Sequence, residues 1–84
     1  MESPRIDREL TLMGPKTDYL AQLKEAFTEM EPAKVLRIVV REKETASEIL
    51  QWMEYGGHKV LESRRLEEGE WELLIQKQIT SYTI

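Results

Sequence analysis

The chain contains no cysteine, and that absence removes disulfides, thiolate metal sites and every mechanism that runs through a cysteine nucleophile. Histidine is nearly absent too: His58 is the single one in 84 residues. A metal cluster built from several histidines is therefore excluded, and a Ser-His-Asp triad would have to rest on His58 alone. Ser47 and Ser63 lie in plain helix and strand contexts, with no nucleophile-elbow pattern around either. No apolar run approaches the roughly 18 residues that cross a bilayer as a helix. The start, Met1-Glu2-Ser3-Pro4-Arg5, lacks the basic and apolar regions of a signal peptide, so a cytoplasmic protein is expected.

What is present is charge, at 33% of residues, beside 40% apolar residues and a net charge of −4. This is a globular composition, and the acidic balance counts against a nucleic-acid binder, which carries a basic field. A chain of 84 residues makes one domain near the lower limit for a core without staples. The expectation is a single domain over 1–84, with a core at about 6–78 and a C-terminal tail at 79–84.

Periodicity orders the chain as βαβαββ. A first strand covers Ile6 to Leu12, where Leu10 and Leu12 alternate with Glu9 and Thr11. Gly14-Pro15 breaks it, and proline fits the first turn of a helix because its missing N–H is an orphan there anyway. Gly14 or Thr17 is the expected N-cap, and Leu20, Leu23, Phe27 and Met30 form the buried stripe. Glu31-Pro32 ends that helix. Lys34 to Arg41 is a valine-rich strand with Leu36, Ile38 and Val40 on one face. Val35, Arg37, Val39 and Arg41 share the other, which reads as half-solvated.

Thr45-Ala46-Ser47-Glu48 has capping-box spacing and predicts the start of a second helix. Its buried stripe is Ala46, Ile49, Leu50 and Met53, with Trp52 on the flank. Gly56-Gly57 stops it. A hairpin follows, Lys59 to about Arg65 and Trp71 to Lys77, joined at Glu67-Glu68-Gly69-Glu70. The last residues, Gln78 to Ile84, are β-prone. With one sheet face charged and the chain too short for a third layer, both helices must cover the same face of a four-stranded mixed sheet. The fold class expected is an α/β two-layer sandwich (α+β).

Gly57-His58 after an amphipathic helix, and Trp71 through Ile75-Gln76-Lys77 as a closing strand, make the chain resemble the TusA/SirA-like sulfur-carrier family over about residues 6 to 78. In that family a Cys-Pro-x-Pro motif opens the first helix, and its cysteine carries a persulfide at helix N-terminal amides. Here Gly14 stands at the cysteine position, Pro15 matches the first proline, and Thr17 replaces the second. Asp7 and Arg8 stand near the family's Asp-x-Arg-Gly stretch. The resemblance implies the fold and implies partners in a sulfur relay, but Gly14 has no side chain to hold sulfur. The expectation is therefore a protein that is not an enzyme and needs no cofactor: a binding or regulatory partner in a sulfur-relay or redox pathway. Its surface would be Gly14, Pro15, Lys16 and Thr17, with Gly57 and His58 adjacent.

Two alternatives stand beside it. One is an accessory subunit that assists sulfur transfer through a partner's cysteine. The other is a small RNA- or nucleic-acid-binding module using Arg37, Arg41, Lys43, Arg64 and Arg65, although Glu42, Glu44, Glu62 and Glu72 in the same stretches favour ion pairing. A homodimer through an exposed sheet edge is compatible with the topology. Glu67, Glu68 and Glu70 lack the spaced ligands of a calcium loop and read as a solvated turn.

Overall fold

A computed structural model describes residues 5–78; the expectations for 79–84 lie outside that range. The elements are β1 (Arg8–Thr11), a 3₁₀ turn (Lys16–Asp18), α1 (Tyr19–Glu29), β2 (Val35–Val40), α2 (Lys43–Tyr55), β3 (Lys59–Arg65) and β4 (Trp71–Gln76). The sheet order is β1-β2-β4-β3. β1 pairs parallel with β2, while β2–β4 and β3–β4 are antiparallel. This is the expected mixed four-stranded sheet with two helices.

β1 is shorter than its apolar pattern suggested, but the chain on either side still holds to β2. The Val35 N–H donates to the Asp7 carboxylate at 2.9 Å, and Asp7 N–H donates to the Val35 carbonyl at 2.9 Å. At the other end Leu12 N–H reaches the Val39 carbonyl. The inner sheet face supplies Leu36, Ile38, Val40, Leu73 and Ile75, and the helices add Leu23, Phe27, Ile49 and Met53. Period two on the strands and period 3.6 on the helices account for all of these.

Three local expectations change. Thr45 does not cap α2: the helix starts at Lys43, the N-cap is the extended residue Glu42, and Ala46 N–H already donates to the Glu42 carbonyl. An N-cap needs a non-helical backbone, and Thr45 is instead a buried residue of the first turn. Likewise, neither Gly14 nor Thr17 caps α1. Extended Pro15 precedes the 3₁₀ turn, Asp18 N–H donates to the Pro15 carbonyl, and α1 begins only at Tyr19. That later start rotates the first turn, so Tyr19 packs on the core while Leu20 is 38% exposed.

The outer sheet face is drier than expected. Val35, Val39 and Leu74 are buried there, as is Glu72. The register explains this by opposing each apolar residue to a longer polar one: Val35 to Gln76, Leu74 to Arg37 and Glu62, and Val39 to Glu72. The aliphatic stems of Gln76, Arg37 and Glu62 shield their apolar neighbours while the polar heads reach toward water, and Glu72 is the buried exception. Glu72 holds the face together, accepting from Arg64 Nε at 2.7 Å and from Arg37 Nε, with Glu9 paired to Arg37 beyond.

Helix ends are closed from a distance. Lys77, just past β4, donates from Nζ to the Phe27 and Met30 carbonyls at the C-terminal end of α1, where a cation also suits the helix dipole. The turn that follows holds Ala33 at φ 71°, a left-handed conformation unusual for a residue with a Cβ. Ala33→Gly should therefore stabilise the protein by about 0.5–1 kcal/mol; an unchanged urea midpoint would contradict that.

Candidate functional site

The parallel pair β1–β2 points two chain turns toward the same end of the sheet. After β1 comes Met13-Gly14-Pro15; after β2 comes Arg41-Glu42, leading into α2. Between them lies a hollow of about 250 Å³ lined by Leu12, Met13, Gly14, Tyr19, Arg41, Glu42 and Thr45. Carboxyl ends of parallel strands, where helices begin, are where open α/β sheets bind ligands.

Gly14 is the position that decides what this hollow can do. Its φ is +86°, and a Cβ built there would meet nothing within 4 Å. Space is therefore available for a side chain, while the backbone conformation disfavours one. Met13 beside it is 69% exposed, an adaptable apolar side chain at the lip. Lys16 donates to Glu48 at 2.8 Å and so ties the 3₁₀ turn to α2. Its ammonium pKa is raised, chiefly by that hydrogen bond; desolvation opposes the rise, and the charges of Glu48, Glu42 and Glu44 add to it. Arg41 forms no ion pair among the described residues and also borders the Glu68–Glu70 turn.

Gly57 and His58 are not adjacent to this turn. Lys59 pairs with Gln76, which pairs with Val35 at the start of β2, whereas Thr11 pairs with Val39 near its end. The two candidate patches therefore sit at opposite ends of a strand about 20 Å long. At their own end Gly57 and His58 perform a structural task. His58 N–H donates to the Met53 carbonyl and Gly57 N–H to the Glu54 carbonyl, the paired bonds that close a helix through a left-handed glycine. Gly57 has φ +82°, and a Cβ there would stand 3.1 Å from the Gln78 side chain.

The His58 ring stacks on Phe27 with centroids 4.4 Å apart and 10° between planes. Its Nδ1 accepts the Gln78 N–H at 3.0 Å. Burial lowers the His58 pKa below its ordinary 6.5, and the Lys77 charge lowers it further. The folded state thus takes up the proton less readily than the unfolded one. This contribution to stability is complete above pH 6.5 and declines as pH falls through 6.5 toward the lower folded value. Urea midpoints compared between pH 7.5 and 5.5 should drop in the native protein and drop less in His58→Gln.

Arg41, Glu42, Thr45 and Tyr19 were not legible as neighbours of Gly14, because no motif marks them. The parallel pairing of β1 with β2 brings them there. Sequence did mark the outer-face arginines, and of these Arg37 and Arg64 both turn to Glu72.

Fold and hollow together define a small two-layer α/β protein with a hollow at the carboxyl ends of its parallel strands. A family profile described as Sulfurtransferase TusA matches residues 20–77, and the chain belongs to that family. The matched stretch runs from α1 through the residue after β4, so β1 and the Gly14–Thr17 turn lie before it. No match is found among curated proteins. Among the described residues no helix is long and apolar enough to cross a membrane.

Proposed function

We propose that this chain is a non-catalytic member of the TusA family that acts as a binding or regulatory partner in a sulfur-relay or redox pathway. It docks through the turn Gly14 to Thr17 and the hollow behind it. The observation that carries this reading is residue 14: a glycine in a left-handed conformation, beside an open hollow, in a chain with no cysteine anywhere. The chain keeps an approachable surface at the strand ends and lacks the atom that would hold sulfur.

The test is capture of a partner from the protein's own lysate, with native mass measurement of the complex and Met13→Glu as the control. A charge on the lip should weaken the complex by about tenfold. Recovery of monomer alone, or capture indifferent to Met13→Glu, would count against the proposal.

One observation favours a second reading, that of an accessory subunit. The unfilled space at Gly14 could receive a side chain from a partner. Sulfur transfer between a persulfidated donor and a cysteine acceptor should then run faster with this chain present, and at an unchanged rate if it only binds.

A further inference from the structure

A second hollow runs between the two helices, shares no lining residue with the hollow at Gly14, and is independent of the reading above. The groove between α1 and α2 has a volume of about 320 Å³, at the low end of the range for small-ligand pockets. Its walls are apolar: Leu20, Leu23, Phe27, Trp52 and Met53. The polar side chains that line it are Lys24, Thr28 and His58, and no carboxylate is among the lining residues.

The state of His58 follows from its contacts. Nδ1 accepts the Gln78 N–H, so the neutral ring must carry its proton on Nε2. Stacking on Phe27 fixes the plane of the ring. Nε2 lies beside the end of α2, 3.5 Å from where a Cβ on Gly56 would be, and Gly56 also lines the groove. No hydrogen bond from Nε2 occurs among the described residues. Lys24 forms no ion pair among them either.

An apolar slot with an unpaired ammonium, an N–H donor and a hydroxyl selects for an apolar body with an anionic acceptor at one end. A cationic head would meet Lys24 with like charge, and a neutral one would gain little from it. We propose that the groove between the two helices binds a small amphiphilic carboxylate. Its chain would lie against Leu20, Phe27 and Trp52, with its head held by Lys24 and the Nε2–H of His58.

Decanoate is the probe, titrated into the full isotopically labelled chain at pH 7, with decanol and decyltrimethylammonium as comparisons. Decanoate should shift the Trp52 indole and Gly56 amide signals and bind about tenfold more tightly than decanol. Lys24→Met, an exposed change that leaves the core intact, should erase most of that advantage without altering decanol binding. Equal binding of all three probes, shifts centred on residues 12–16, or indifference to Lys24→Met would overturn the proposal. None of those outcomes bears on the Gly14 surface, whose test uses Met13, a residue outside this groove.

Discussion

Glu72→Ala should destabilise the protein by about 3 kcal/mol, measured as a lower urea midpoint with an unchanged slope. The carboxylate is buried on the outer sheet face and accepts from both Arg37 and Arg64. Removing it leaves Arg37, itself only partly exposed, beside Arg64 with no anion between them. Loss of one partner of a buried pair costs far more than the pair contributes, because the remaining charge stays desolvated. The value sits at the low end of the range for such losses because Arg64 is 59% exposed and can turn to water.

The same group sets an acid limit. Burial by itself would raise the Glu72 pKa, but hydrogen bonds from Arg37 and Arg64, with their charges, outweigh it and hold it below 4.5. Its contribution is therefore complete above the ordinary carboxyl value and is lost as pH falls through the lower folded one. That window opens at a lower pH than the one set by His58, so on acidification of the native protein the His58 stage should begin before the Glu72 stage. Glu72→Gln should abolish the lower stage and leave the upper one.

The second large effect concerns Gly14. Native protein mixed with a persulfidated donor should show no gain in mass, since it has no thiol. Gly14→Cys should gain one sulfur atom, because the added side chain enters open space. The backbone opposes the change: φ +86° is a conformation that costs a residue with a Cβ about 1–2 kcal/mol. Gly14→Asn, which tolerates left-handed geometry better, should lose less stability and gain no sulfur. A native chain that itself gains sulfur, or a stable Gly14→Cys that gains none, would show residue 14 to be misassigned.

Much of this was legible in the sequence where burial follows a simple period. Leu36, Ile38 and Val40 announced the inner face, and Gly56-Gly57 announced the end of α2, because each depends on a few neighbouring residues. The outer face was misjudged because alternation says which way Val35 and Val39 point, but not that Gln76 and Glu72 will stand opposite. Thr45 had capping-box spacing, yet the short connection after Val40 places the N-cap at Glu42, three residues earlier. The pairing of His58 with Gly14 failed on strand direction. Gly14 follows β1 and His58 precedes β3; β1 and β3 run the same way, so the two residues fall at opposite ends. Of the candidate site, Gly14 could be read from a motif position, while Arg41 and Thr45 required the parallel partner strand.

The place of β4 in the sheet has a consequence for how the protein comes into being. Among the described residues the last strand is an interior one, flanked by β2 and β3, and it is the sole neighbour of β3. A nascent chain that has reached residue 70 therefore has helices without a finished surface to pack on and a β3 with no ladder. The lysine that closes α1 is not yet made either. Such a topology leaves both central ladders to the strand made last. The sheet is complete only once nearly the whole domain has left the ribosome, which favours a cooperative transition over piecemeal folding during synthesis.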